Sequence, residues 1–587
     1  MNYSVKRPLT VDEKNKLSLF SEKLAHLLFH RGFTEADEAQ KFVTPDYDAH
    51  IHDPFLLKDA EKAAQRIILA IKNNEKIAVY SDYDADGIPA AVIYHDFFKR
   101  IGYANFVIYI PHRHNEGFGL NIEAVEELAE KGVTLMITLD CGITDVEPVR
   151  RANELGIEVI ITDHHEPPAA LPPAFAIVDH RQVDCTYPDK NLCGSAVGFK
   201  LIQAILKIDR LGLKEGHEKW LLDMVGIATL SDMVPLMGEN RVFSHFGLNV
   251  LRKTQRKGLT RLLDRLKIAK NTMTEDDIGF MVTPRINAAS RMGAPMDAFN
   301  LLVAESDDEA ETYAEHLEHI NNERKGIVAA LVKEVKKKVE DRYMGTMPAV
   351  IVMGNPEWRP SLMGLVANTC AETFDRPVFL WGRDGDNIIK GSCRSEGTSS
   401  VVEIMRGVPE NVFIKYGGHH HSGGFEVSDE KIHHLDQYLN EAQQIMQEKG
   451  ERRKENEDEK NTSETEVEEN KNEIDLELKL DEVNENLYSQ ISQLAPFGMG
   501  NPKPIFLFRK VTPVSVRKFG KTNNHLEVTF KKSNGYKLPA ISFFNAEAPW
   551  VANWKEGQSI DLVASVEKSY FRGRPEVRLR VVEVLLT

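Results

Sequence analysis

Glu158-Val159-Ile160-Ile161-Thr162-Asp163-His164-His165-Glu166-Pro167 is the stretch from which the rest of the chain can be read. Its short β-branched run reads as a buried strand, and Asp-His-His sits where that strand ends. In open α/β sheets, ligands collect at the carboxyl ends of the strands. Three adjacent titratable side chains there offer oxygen and imidazole donors to a divalent cation. A capped turn with satisfied imidazoles would carry the same letters, so the rest of the sequence has to decide.

Three further segments decide it. Ile77–Tyr80 runs into Ser81-Asp82-Tyr83-Asp84-Ala85-Asp86-Gly87, three aspartates at alternate positions. Carboxylates so close repel one another unless a cation neutralises them. An EF-hand loop does not fit, because Ile93 stands at the twelfth position from Asp82, where the bidentate Glu belongs. Leu135–Leu139 runs into Asp140-Cys141-Gly142, where the glycine permits a tight turn. Ile227-Ala228-Thr229-Leu230-Ser231-Asp232 brings another aspartate to the end of an apolar helix. Singly, each Asp is explained as a helix N-cap. Together they describe an Asp-rich site with one or two His, which suits Mn²⁺ or Mg²⁺, the imidazole favouring Mn²⁺. Two such ions would activate a water and stabilise the leaving oxygen of a phosphodiester, so the expected class is a metal-dependent phosphoesterase.

The strand candidates Ile77–Tyr80, Phe106–Ile110, Leu135–Leu139, Val159–Ile161 and Ala176–Val178 alternate with helical stretches, which implies a parallel sheet covered on both faces. At 587 residues the chain needs two to four domains. The expected division is a helical cover segment (1–60), a catalytic α/β domain (61–300), one long connecting helix (301–345), a second α/β domain (346–445), an acidic linker (446–480) and a small OB-like β-barrel (481–587). Between Glu448 and Asp475 twelve acidic and six basic residues stand almost without large apolar groups, so this run is expected to be a disordered linker or a solvated, frayed helix extension. The formal net charge of −16 excludes a wholly basic nucleic-acid coat but not a local basic channel. The five cysteines form no CxxC pair, so neither a disulfide framework nor a zinc site is expected. The N-terminus has no apolar run behind it and no stretch is long enough to span a membrane, so the expectation is a cytoplasmic protein without a membrane partner.

SDYDADG, LDCGI, TDHHEP and Ser231-Asp232, in that order, resemble the motifs of the DHH phosphoesterase superfamily. Gly417-Gly418-His419-His420-His421-Ser422-Gly423-Gly424-Phe425 resembles the signature of the associated DHHA1 domain. Thr283-Pro284-Arg285-Ile286-Asn287-Ala288-Ala289-Ser290-Arg291 and Leu494-Ala495-Pro496-Phe497-Gly498-Met499-Gly500-Asn501-Pro502 are similar to segments of its RecJ branch. The resemblance covers nearly the whole chain in colinear order. It implies a 5′→3′ exonuclease that releases mononucleotides from single-stranded DNA in repair and recombination. It also implies metal ligands at Asp82, Asp84, Asp86, Asp140, His164 and Asp232, with His165 beside them, and Asp140, His164, His165 and Asp232 as the catalytic set. Phosphate- or DNA-binding positions carry over to Arg113, Arg285, Asn287, Arg291, Ser392, Arg394 and His419.

The residues themselves support part of this. Gly391-Ser392-Cys393-Arg394-Ser395 ends a strand with hydroxyls and a guanidinium able to grip a phosphate. Arg578 and Arg580 share a strand face, with Arg517, Lys518, Lys521, Tyr570, Phe571, Arg572 and Arg574 nearby. Basic groups interleaved with aromatics suit the holding of single strands. The chain departs from the family at Ser81, Pro89, Asp179-His180-Arg181 and Trp358-Arg359-Pro360, which opens an altered preference. The competing readings are a phosphodiesterase for oligoribonucleotides or cyclic dinucleotides, and a catalytically weak single-strand-binding scaffold. A monomer is the default, and a helicase or single-strand-binding protein is a plausible partner from the family.

Overall fold

Along the first sheet, alternate residues feed two different cores. Ile77, Val79, Leu135, Ile137, Leu139 and Ile160 pack into one cluster, while Ala78, Tyr80, Met136, Val159 and Ile161 pack into another. A strand whose both faces are buried must be apolar throughout, which is why these segments read as continuous β-branched runs. The computed structural model describes residues 3–586 except 384–387, 398, 419, 459–472, 521–522, 544–545, 547, 549, 552–553, 555–556 and 571–574.

The five strands are all parallel, in the spatial order Phe106–Tyr109, Ile77–Ser81, Leu135–Leu139, Glu158–Thr162, Ala176–Val178. In chain order this is 2-1-3-4-5, a doubly wound sheet whose strand order reverses between Ile77–Ser81 and Leu135–Leu139. Asp82 and Asp140 follow these two strands, and the Asp82 N–H donates to the carbonyl of Leu139 (3.1 Å), tying the two ends together. The fold thus places its ligand-binding crevice where the aspartates are.

Helices from Gly194 to Val303 pack beside this sheet, and the single helix Asp307–Tyr343 leads to a second α/β unit. That unit has five strands in the order 413–418, 422–427, 389–394, 378–383, 351–354, only the last pair parallel. The C-terminal unit is a seven-stranded, mostly antiparallel sheet from Leu476 to Leu586. Among the described residues no helix is long and apolar enough to cross a membrane, and all five cysteines are buried and unpaired.

Two expectations change. Most of the N-terminal segment belongs to the C-terminal unit: Leu17, Leu24, Leu27, Leu28 and Phe42 share one core with Leu494, Phe506, Phe508 and Phe530. Ser4–Val5 also pairs with Glu473–Ile474 as a parallel ladder. The acidic run therefore does not remain solvated up to Asp475. Ile474 is buried, and Asp475 is ion-paired to Lys6 (3.0 Å) while accepting from the N–H of Ile505 (2.9 Å).

Candidate metal centre and anion pocket

Asp84 and Asp86 are held by backbone donors. Asp84 Oδ1 accepts from the N–H groups of Asp86 (2.7 Å) and Gly87 (3.1 Å), which starts the helix Gly87–Arg100. Asp86 accepts through both oxygens from Gly194 (2.6 Å) and Ser195 (2.7 Å), the first residues of the helix Gly194–Ile208. A carboxylate at a helix N-terminus satisfies orphan donors and is favoured by the dipole. Asp140 is held at φ 60°, a left-handed conformation that costs a non-glycine residue free energy and is found where geometry matters more than stability. Gly194 is required opposite it, since a Cβ there would overlap the Asp140 carboxylate. Asp232 terminates the helix Leu222–Ser231.

His164 joins these groups. Its Nε2 lies 3.1 Å from Asp140 Oδ1 and 3.8 Å from Asp86 Oδ2, and its Nδ1 lies 3.8 Å from Asp232 Oδ2. None of these contacts has hydrogen-bond geometry. Asp82 Oδ1, Asp140 Oδ1 and His164 Nδ1 are buried atoms without a hydrogen-bond partner among the described residues. Buried polar atoms in native proteins almost always have partners, so a cluster of such atoms marks a place for a ligand. Three sets of donor atoms converge within 4.8 Å of one another: Asp82, Asp84 and Asp140; Asp86, His164 and Asp232; Asp140, His164 and His165. Burial first, and then the neighbouring carboxylates, push Asp82, Asp140 and Asp232 well above the usual carboxylate range, and Asp86 up to about 6. A divalent cation removes both causes at once. Carboxylates with one or two imidazoles fit Mn²⁺ better than the all-oxygen shells of Ca²⁺.

His165 is set differently. Its Nδ1 lies 2.7 Å from Asp163 Oδ1, leaving Nε2 as its other polar atom. Burial alone would lower its pKa, but the hydrogen bond and charge of Asp163 outweigh that and raise it to about 9. Asp163 is itself saturated, accepting from the N–H groups of His164 (2.7 Å), His165 (3.2 Å) and Ile143 (3.0 Å).

A cleft of about 240 Å³ joins this cluster to a set of cations; Asp82, Asp84, Asp140, His164, His165 and Asp232 line it together with Arg113, Asn287 and Arg291. Arg113 stacks over the Tyr83 ring, 4.8 Å from its centroid. Asn287 Oδ1 accepts from the Ala85 N–H (2.9 Å), fixing the aspartate turn. Arg291 donates to the Ser361 carbonyl of the second α/β unit (2.7 Å). Burial and the charges of Arg113, Arg324 and Arg394 pull its pKa down to about 9. Arg394 and Ser392 lie on the strand Ile389–Arg394, and Gly364 leaves room for the Arg394 guanidinium, which a Cβ would approach to 2.9 Å. Among the described residues these arginines make no ion pair with an acidic side chain, and gathered cations of this kind need anions from elsewhere.

Other candidates are not brought to this cleft. Arg285 is buried and committed to Glu318 (2.8 Å) and the Met281 carbonyl (2.9 Å), so it braces two helices instead of facing substrate. Arg578 and Arg580 do share a face, but Arg578 is bound to Glu567 (2.5 Å) and Arg580 stacks over Phe543 (4.7 Å), lining a neighbouring groove with Ser231 and Met233. His419, Lys521, Phe571, Arg572 and Arg574 lie outside the described residues. Sequence reasoning passed over the orienting role of Asp163, and Tyr83 and Phe118 as cleft walls. Adjacency to named motifs was the available signal for all three.

Comparisons with known proteins agree in domain order. The profile of the DHH family, N-terminal domain, matches residues 76–229, that of the DHHA1 domain matches 347–448, and that of the RecJ OB domain matches 474–583. A curated single-stranded-DNA-specific exonuclease RecJ of Bacillus subtilis is 33% identical over 595 residues, covering 100% of this chain and 71% of that protein. The Haemophilus influenzae protein of the same name is 30% identical, covering 90% of this chain and 91% of its own length. A crystal structure of RecJ with Mn²⁺ from Thermus thermophilus superposes with a TM-score of 0.76 at 25% identity, covering 98% of this chain and 77% of that one. A manganese-bound exonuclease RecJ structure gives 0.57 at 31% identity, covering 66% and 94%.

Proposed function

The chain belongs to the RecJ family of single-stranded-DNA-specific exonucleases, and on that premise we propose that it is a metal-dependent exonuclease that hydrolyses single-stranded DNA from the 5′ end to mononucleotides. What carries this reading is one adjacency: a buried carboxylate–imidazole cluster opens directly onto Arg113 and Arg291, which among the described residues make no ion pair with an acidic side chain. A phosphodiester is the substrate that needs both.

Asp82, Asp84, Asp86, Asp140, His164 and Asp232 are the residues that would hold Mn²⁺ or Mg²⁺, in all two ions, which supply Lewis-acid charge for hydrolysis. The rest is done by the chain. Arg113, Arg291, Arg394 and Ser392 hold the 5′-terminal phosphate, so the scissile bond one nucleotide on lies over the carboxylates. His165, held protonated by Asp163, donates from Nε2 to a phosphate oxygen. Asp163 keeps that ring from turning away. The C-terminal sheet, with Arg578 and Arg580, steers the incoming strand. The enzyme acts as a monomer in the cytoplasm, in DNA repair and recombination, on strands delivered by a helicase or single-strand-binding protein.

The test uses one DNA sequence labelled at the 5′ or the 3′ end, with Mn²⁺, Mg²⁺ or chelator, and the matching RNA alongside. Immediate release of the 5′-labelled mononucleotide, only with metal and only from DNA, is the expected result. Intact DNA with degraded short RNA would move the protein to the oligoribonucleotide branch, and binding without cleavage would make it a scaffold.

A further inference from the structure

Arg324 has no place in the reading above, yet it stands beside it. The helices Thr283–Met292 and Asp307–Tyr343 pack together. Their register is pinned by Arg285 Nε and Glu318 Oε2 at 2.8 Å. Six residues further along each helix come Arg291 and Arg324, about 9 Å on at 1.5 Å per residue. Met292, next to Arg291, packs against the same core as Ile327 and Val328, a turn beyond Arg324, so the two helices run in the same direction and bring the two arginines to one level. There their like charges add to the depression of the Arg291 pKa.

Its own surroundings are unusual for a structural arginine. Nη2 donates to Oδ1 of the fully buried Asn321 (3.0 Å), which aims the guanidinium. Nε is buried without a hydrogen-bond partner, and among the described residues no carboxylate lies within ion-pair distance. Burial lowers its pKa, and the like charge of Arg285 lowers it further. A half-buried cation that meets only other cations costs stability unless an anion arrives. The connecting helix that carries it also bridges the two α/β units, and Arg291 reaches across the same seam to Ser361.

We propose that Arg324 is a further phosphate-binding residue of the anion pocket, contributing to recognition of the 5′-terminal phosphate of single-stranded DNA from the helix that links the two α/β units. The inference rests on the exonuclease reading of the cleft. It adds that the pocket is completed by the linking helix, so that phosphate binding and the relative placement of the two units are coupled.

The experiment compares wild type with Arg324→Gln and Arg324→Lys, using the same oligodeoxynucleotide bearing a 5′-phosphate or a 5′-hydroxyl. Affinity is measured by fluorescence anisotropy in chelator, kcat/KM with Mn²⁺, and Tm without DNA. Arg324→Gln should cut the affinity preference for the 5′-phosphate about tenfold, the loss of one charge-assisted hydrogen-bonding group. Arg324→Lys should retain part of it, because charge survives and the fork does not. Tm should stay level or rise, since removing an unpaired cation relieves repulsion. An unchanged phosphate preference in Arg324→Gln overturns the inference while leaving the exonuclease reading intact, and so does a fall in Tm with equal loss on both ends. If wild type fails to cleave DNA, the exonuclease reading falls, and the binding arm still decides whether Arg324 recognises the phosphate.

Discussion

His165 Nδ1 sits 2.7 Å from Asp163 Oδ1, and the same oxygen accepts from the N–H of His164, so one carboxylate sets both histidines. Asp163→Asn keeps an acceptor for the backbone but removes the charge that holds His165 protonated. Activity should fall about 10- to 100-fold, the usual effect of losing such an orienting group. Circular dichroism and Tm should change little. A variant as active as wild type would show that His165 does not need its partner.

Metal and stability are linked through Asp140. Its carboxylate is buried among Asp82, Asp84, Asp86 and Asp232, and that repulsion opposes folding in the absence of a cation. Mn²⁺ at 100 times its dissociation constant should stabilise the protein by about 2.7 kcal/mol, an increase in Tm reversed by chelator. Asp140→Ala should lose most of that increase and nearly all turnover, while single-stranded-DNA affinity in chelator stays within about threefold of wild type. Equal loss of binding and cleavage would remove Asp140 from the catalytic set.

Arg394 tests the pocket from the second α/β unit. Burial lowers its pKa, Arg113 adds to this, and its guanidinium donates to its neighbour's carbonyl, Cys393 O at 2.7 Å. Arg394→Ala should raise KM for 5′-phosphorylated DNA by about tenfold or more, with kcat changed much less. Steady-state kinetics on 5′-phosphate and 5′-hydroxyl substrates would expose a uniform loss on both, which contradicts a phosphate role.

Arg285 and Arg291 show where sequence reading stops. Both sit in one motif, six residues apart on one helix, yet Arg285 is spent on Glu318 while Arg291 lines the cleft. Residue type is the same for both; the six-residue spacing turns them to different faces of the helix, and which face meets Glu318 is set by the position of the helix Asp307–Tyr343. The strands and their terminal aspartates were legible because alternation, β-branching and adjacency are local properties. Asp475 was not, because its acidic neighbours imply solvent while its partners, Lys6 and Ile505, come from other parts of the fold. The same holds for Leu17 and Leu28, whose core partners lie more than 400 residues away.

Arg241 is where those distant parts meet, and the last prediction concerns it. Fully buried, it donates to the carbonyls of Phe42 (3.0 Å), Leu494 (2.8 Å), Pro496 (3.1 Å) and Gln493 (3.2 Å), and stacks over the Phe42 ring at 4.1 Å. It reaches from the helix Gly238–Leu251 of the catalytic unit to both the N-terminal segment and the loop that precedes the strand Phe506–Val511 of the C-terminal sheet. Burial pulls its pKa down to about 10, so it remains charged at neutral pH. Methionine at this position fills the space and leaves Leu494 and Pro496 the side-chain amide of Asn501, but takes the guanidinium donor from the carbonyls of Phe42 and Gln493, each loss costing about 1–3 kcal/mol. Arg241→Met should therefore lower Tm by several degrees, whereas Leu28→Ala, costing about 2–5 kcal/mol through its cavity, should destabilise the C-terminal unit first. If the arginine couples the units, Arg241→Met should also split a single melting transition into two and weaken cleavage of long single strands more than short ones. One unshifted transition would mean that the units are joined by other contacts.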